Sequence, residues 1–199
     1  MVWCDKHKII FIHIPKTGGT SIEKSLNISN IKNGYGIKDN KAVQHFTWYN
    51  YQKHINDKFN AYYKFTIVRN PYEKVLSDYF WLKNIAHLDV DNYQNKTFDE
   101  YLDYCDFIVK NNLYNKTIYH DHFMPQNEFI YKNDILMINK ILRFENFEYI
   151  KKFMKLRYKV NVIHENKNNS KKNITLTELQ KDKIYKIYEK DFILLKYPK

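Results

Sequence analysis

Seven residues near the amino end, Pro15-Lys16-Thr17-Gly18-Gly19-Thr20-Ser21, bring together one cation, two glycines and three hydroxyls. They follow the apolar run His7-Lys8-Ile9-Ile10-Phe11-Ile12-His13-Ile14 and precede a helix-like segment carrying Ile22, Glu23 and Leu26. Strand, short glycine loop and helix start form the layout of a phosphate cradle. Glycine lets backbone N–H groups approach an anion closely, the helix start adds partial positive charge, and a lysine adds a full one. The nucleoside-triphosphatase pattern needs Gly-Lys-Ser/Thr at the end of the loop, and here Lys16 precedes the glycines. A second cluster, Val68-Arg69-Asn70-Pro71-Tyr72 with Ser77, repeats the arrangement about fifty positions later. Arginine offers a fork of donors that matches phosphate geometry. Ser77 lies two turns into the following helix, off its apolar stripe.

Pro-Lys-Thr-Gly-Gly-Thr-Ser after a strand resembles the 5′-phosphosulfate loop of sulfotransferases, which use 3′-phosphoadenosine 5′-phosphosulfate (PAPS) as donor. The wording His13-Ile14-Pro15-Lys16-Thr17-Gly18-Gly19-Thr20-Ser21 is most similar to the carbohydrate branch, with its chondroitin, dermatan and HNK-1 enzymes. The resemblance implies that Lys16, Thr17, Gly18, Gly19, Thr20 and Ser21 hold the 5′-phosphate, and that Arg69 and Ser77 hold the 3′-phosphate. Sulfuryl transfer to a hydroxyl is an in-line displacement in which the acceptor loses a proton, and a neutral imidazole is a suitable base. His45, in Ala42-Val43-Gln44-His45-Phe46-Thr47-Trp48, matches the family's histidine ahead of the 3′-phosphate arginine and is expected to be that base. Lys16 is expected to stabilise the leaving phosphate. His120 and His122 are rivals for the base. His122-Phe123-Met124-Pro125-Gln126 resembles a His-x-x-Pro-Gln segment of chondroitin-type relatives, which implies an acceptor-binding role for His122 and Gln126. His13 reads as packed, and His54, His87 and His164 lack supporting context. His120-Asp121-His122 is weak as a metal cluster, and the reaction calls for no metal. Arg143-Phe144-Glu145-Asn146 resembles the family's strand-to-helix corner, with an expected Arg143–Glu145 pair. The loop Asn169-Ser170-Lys171-Lys172 resembles one that closes over the nucleotide, placing Ser170 at the donor.

The bulk composition agrees with this. With 199 residues, 44% hydrophobic and 17% aromatic, the chain is expected to be one domain, 1–199, with a full core. The net charge of +11 points to anionic partners. Part of it reflects a Lys-, Asn-, Ile- and Tyr-rich composition typical of AT-rich genomes. A nucleotide kinase and a non-enzymatic binder of anionic polymers are the alternatives. The reading carries a glycan or other hydroxyl acceptor as partner, no nucleic acid, and an open oligomeric state. No apolar run approaches the ~18 residues of a membrane span, and the first residues lack a signal-peptide core. The expectation is therefore a cytoplasmic enzyme, unless the chain is a trimmed Golgi-type one. Two cysteines, Cys4 and Cys105, make no disulfide framework, and Cys105 is expected in the core.

The elements that must position these groups follow from periodicity. Strands are expected at 8–14, 62–68 and 135–142, and helices at 19–28, 47–57, from Asn70 onward, from Thr97 onward, 146–156 and 177–190, with loops at 29–42 and 164–173. Asn70-Pro71-Tyr72-Glu73 and Thr97-Phe98-Asp99-Glu100 each read as a capping box. In the first of these helices Tyr72, Val75, Leu76, Tyr79 and Phe80 form the apolar stripe, with Glu73, Lys74, Ser77 and Asp78 off it. Alternating strands and helices with the anion loop after the first strand predict a three-layer α/β domain, P-loop-like, around a mainly parallel sheet. Its ligand would lie at the carboxyl ends of the strands.

Overall fold

A computed structural model of the chain describes residues 1–28, 37–38, 41–84, 92–116, 119–163 and 175–199. Its main sheet has the order β1 (Trp3–Cys4), β2 (Ile9–Ile12), β5 (Tyr63–Val68), β8 (Lys140–Arg143). β1 runs antiparallel to β2, while β2, β5 and β8 are parallel, with Ile9 opposite Tyr63 and Val68 opposite Arg143. Strands covered on both faces must be apolar at every position, and all four residues of β2 are buried. Ile10 and Ile12 face one core with Trp48 and Tyr51 of α2 (Trp48–His54), Val75 and Tyr79 of α4 (Pro71–Asn84) and Leu102 and Cys105 of α5 (Phe98–Lys110). Ile9 and Phe11 face a second core with Ile22 of α1 (Gly19–Ser25) and Ile150 and Met154 of α6 (Phe147–Tyr158). The architecture is a mixed α/β fold with a sheet dominated by parallel pairs. Both chain crossings, from β2 to β5 and from β5 to β8, leave the loops Ile14–Gly18 and Arg69–Asn70 at the same sheet end. Among the described residues no helix is long and apolar enough to cross a membrane.

Several expectations shift. Residues 37–42, expected as loop, include β3 (Ile37–Lys38) paired antiparallel with β4 (Lys41–Ala42). The helix expected at 47–57 is two, α2 and α3 (Asn56–Ala61), broken at Ile55, whose φ of −140° is not helical. The strand region at 135–142 also divides. β6 (Tyr131–Lys132) and β7 (Ile135–Leu136) form a separate hairpin, and only β8 joins the main sheet. Its turn residues Asn133 and Asp134 both have positive φ, 49° and 63°, the geometry of a tight hairpin turn. The last helix is α7 (Glu178–Ile187) followed by α8 (Glu189–Leu194). The Thr97–Glu100 capping box is present.

The box expected from Asn70 and Glu73 is not closed as written. Asn70 Oδ1 accepts from Tyr72 N at 2.9 Å, but Asn70 N donates to Glu145 Oε1 at 2.5 Å, while Glu73 reaches Arg69. Arg143 and Glu145 do not pair either. Arg143 donates to the Leu195 carbonyl at 2.6 Å and lies over the Tyr197 ring, whose hydroxyl donates to Glu145. The corner thus ties β8 to the chain's carboxyl end and to the start of α4 at once.

Candidate active site

The loop after β2 is shaped by two left-handed residues, Lys16 at φ 63° and Gly18 at φ 85°. A side chain at Gly18 would meet the Phe144 ring at 2.8 Å. Gly19 is needed for a different reason: its Cβ would lie 2.1 Å from the His13 ring. His13 fills the floor beneath the loop, with Nδ1 bonded to Glu23. Thr17 is fully buried and donates its hydroxyl to the Ile14 carbonyl at 2.8 Å, closing the turn. Gly18 and Thr20 remain partly exposed, while Ser21 is buried. The hydroxyl of Thr17 therefore shapes the cradle, its proton committed to the Ile14 carbonyl.

Arg69 follows β5 and meets this loop directly. Its Nη1 donates to the Lys16 carbonyl at 3.3 Å, its Nη2 reaches Glu73 Oε2 at 3.4 Å, and its guanidinium lies 4.7 Å from the Phe144 ring centre. Gln126 holds the arginine by its backbone: Arg69 N donates to Gln126 Oε1 at 2.9 Å, and Gln126 Nε2 donates to Arg69 O at 2.7 Å. Gln126, expected at the acceptor, is fully buried, with both ends of its amide committed to Arg69. The Lys16 ammonium sits 4.8 Å from the Trp81 ring centre. Burial lowers its pKa to about 8, against the pull of Asp78 and with the push of Arg69 and Lys74. Ser77 is half-buried on α4, one turn from Glu73 and one turn from Trp81. It therefore lies along the helix edge between the group that touches Arg69 and the ring beneath Lys16.

Three buried histidines line up beside the lysine loop. The rings of His13 and His45 are 5.0 Å apart and those of His45 and His122 are 5.2 Å apart, both edge to face. His45 Nδ1 lies 2.8 Å from Asp121 Oδ2, and His122 Nδ1 lies 2.8 Å from Asp78 Oδ1. Lys74 completes the second pair, donating to Asp78 Oδ2 at 2.8 Å and to the His122 carbonyl at 2.7 Å. Trp81 stacks on His122 at 4.5 Å. Burial lowers the His45 pKa to about 4, although Asp121 opposes it, so the ring is neutral at physiological pH. Lys74 and His122 hold the buried Asp78 carboxyl down at about 2 in spite of desolvation.

The sequence-derived candidates Lys16, Arg69, His45 and His122 thus meet around one loop. His120 separates from them, with Nδ1 on the Leu113 carbonyl and Nε2 on Tyr104. Ser170, with His87 and His164, lies outside the described residues. His45, Asp121 and His122 bring ligand-type atoms within 4.8 Å of one another, a grouping different from the sequential His120-Asp121-His122. From sequence, Asp121 enters only through the weak His120-Asp121-His122 grouping, Lys74 and Asp78 only as positions off the α4 stripe, and Trp81 not at all. The i, i+4 spacing of Lys74 and Asp78 is a signal for their pairing. Nothing local joins His45 to Asp121 across 76 positions.

Residues 1–198 match the family model described as "Sulfotransferase family". Over 86 residues the chain is 31% identical to carbohydrate sulfotransferase 10 of Danio rerio, a match covering 37% of this chain and 22% of that protein. It is 33% identical over 86 residues to carbohydrate sulfotransferase 10 of Gallus gallus, covering 37% of this chain and 23% of that protein. The match spans less than a quarter of these curated relatives' length. No solved structure matches the chain.

Proposed function

The chain belongs to the sulfotransferase family, and from that premise we propose that residues 1–199 act as one PAPS-dependent domain that moves a sulfuryl group to a carbohydrate hydroxyl. The family implies a sulfonate donor; PAPS is the donor whose two phosphate-bearing ends suit two separate cationic anchors. The contact of Arg69 with the Lys16 carbonyl at 3.3 Å carries this reading, because it makes the two anchors walls of one site. Cores on both faces of the sheet support a three-layer, P-loop-like arrangement for the domain.

In this mechanism the loop N–H groups of Lys16 to Ser21 hold the 5′-phosphate, and Arg69 with Ser77 holds the 3′-phosphate. His45 takes the acceptor's proton, the acceptor oxygen forms a bond to sulfur, and the bridging phosphate–sulfur oxygen leaves with the bonding pair. Negative charge grows on that oxygen, and a cation aimed there stabilises the transition state more than the ground state. Lys16 is that cation. Its loss, as Lys16→Met, should lower kcat by ~10²–10³, or roughly 3–4 kcal/mol, as deletions of comparable groups do. His122 borders the acceptor side, while Gln126 serves the donor side through Arg69.

Thermal shift with adenosine 3′,5′-bisphosphate against ATP with Mg²⁺ tests the class, and labelled sulfuryl transfer onto a panel of glycans tests the acceptor. Stabilisation by the bisphosphate, lost in Arg69→Ala, is expected. Stabilisation by ATP with Mg²⁺ alone would overturn the reading in favour of a nucleotide kinase.

A further inference from the structure

Neither neighbour of the His45 ring is accidental in its chemistry. Nδ1 faces Asp121 Oδ2 at 2.8 Å, and Nε2 faces the amide nitrogen of Gln44 at 3.3 Å. An ionised carboxylate only accepts, so the ring proton must be on Nδ1, donated to Asp121, and Nε2 presents its lone pair. The tautomer is therefore set from the Asp121 side. Asp121 is 2% exposed and His45 5% exposed, so water competes little for this bond. The bond joins the 3₁₀ turn Val43–His45 to the 3₁₀ turn His120–Phe123.

From this geometry we infer that Asp121 is the positioning residue of the reaction, holding His45 in the tautomer that leaves Nε2 free to take the acceptor's proton. The inference rests on the sulfotransferase reading and names a residue to which that reading had given no part. The proton leaves the acceptor oxygen for Nε2, the ring becomes an imidazolium, and the Asp121 carboxylate balances its charge without being protonated itself. The half-buried Gln44 amide occupies Nε2 at long range, where an acceptor hydroxyl can replace it.

The neighbouring pair is built differently. Asp78 shares its carboxylate between His122 and Lys74, and Lys74 also takes the His122 carbonyl. The charge that could balance a protonated His122 is already offset by an ammonium, and Trp81 covers a ring face. That pair suits a tie between α4 and the His120–Phe123 turn. Among the strongest influences on His45, the Asp121 carboxylate favours the protonated ring, while burial and the His13 and His122 rings oppose it.

The test compares Asp121→Asn and Asp121→Glu with the wild-type chain. Asparagine keeps the shape but can offer Nδ1 a donor as readily as an acceptor. In Asp121→Asn, ¹⁵N spectra of the His45 ring should lose the pure Nδ1–H signature, kcat should fall at least 100-fold, and bisphosphate affinity should stay within threefold. The acid limb of the kcat profile should move to lower pH, which a purely structural role would not cause. Asp121→Glu should restore the signature and part of kcat. Unchanged tautomer with kcat within threefold of wild type would overturn the inference while leaving the function intact. If the wild-type chain transfers no sulfuryl group, the function reading fails and with it the role in transfer, while the spectra still decide whether Asp121 sets the His45 tautomer: loss of Nδ1–H in Asp121→Asn shows that it does, retention that it does not.

Discussion

Lys16 is where charge, burial and function meet. Desolvation holds its pKa near 8, well below the ordinary lysine range, so a fraction of the free protein carries a neutral amine in mildly alkaline buffer. An anionic ligand favours the charged form and raises that pKa. Binding must then take up protons at pH 8, a fraction of a proton per site, because part of the free lysines start neutral there. Calorimetry of adenosine 3′,5′-bisphosphate binding in buffers of different ionisation enthalpy reads this uptake directly. Lys16→Met should abolish it, and an uptake of zero in the wild-type chain would place the lysine away from the ligand. The presence of a cation in the loop was legible from Pro15-Lys16-Thr17. Its lowered pKa was not, because burial causes it, and the Trp81 ring beside the ammonium comes from the far helix.

At the scale of the element, the loop–α1 junction depends on close approach. His13 ends its strand run and turns its ring into the space that a side chain at Gly19 would fill. Gly19→Ala forces that ring or the loop to move, and overpacking of this kind costs about 1–3 kcal/mol. Urea denaturation should show that loss, with bisphosphate affinity falling more than stability, because the displaced segment is the cradle itself. Helix α4 teaches the reverse lesson about patterning. Of its expected stripe Val75 and Tyr79 are buried and Tyr72, Leu76 and Phe80 pack partly buried against the core, yet Lys74 and Asp78 are as buried as Val75 and Tyr79. A charged pair can enter the interior when each partner's bonds are met, and here the His122 ring and carbonyl meet them. Amphipathic reading assigns such residues to solvent, since it has no access to the turn that satisfies them.

Across the whole molecule, Arg69, the proposed donor anchor, is held by the last helix. Asp191 of α8 accepts from the backbone N of Gln126 at 2.8 Å and of Asn127 at 2.7 Å, and Gln126 in turn grips the backbone of Arg69. Asp191→Ala leaves two buried N–H groups without that acceptor, which should cost about 2–6 kcal/mol of stability at ~1–3 kcal/mol each. It should also weaken bisphosphate binding through a residue that touches no ligand. Chemical denaturation and calorimetry measure both, and unchanged affinity in a folded Asp191→Ala chain would uncouple the carboxyl end from the site. Burial raises the Asp191 pKa to about 6, against the two N–H bonds that favour its charge. The folded state then holds more protons than the unfolded one between the ordinary carboxyl value and about 6. Its contribution is present at low pH and fades as pH rises through that window. Asp191→Asn should flatten this slope.

The chain's order of residues determined the two motifs proposed as anion anchors, the helix cap at Thr97 and the apolar runs of β2 and β5, because each is a local matter of backbone freedom, charge and periodicity. The meeting of Arg69 with the Lys16 loop, the pairing of His45 with Asp121 and the exchange of partners around Glu145 were decided by the fold. These contacts join positions from 53 to 76 residues apart. A hydrogen bond between distant segments is settled by which backbone turns arrive at the same sheet end, and no local spacing records that.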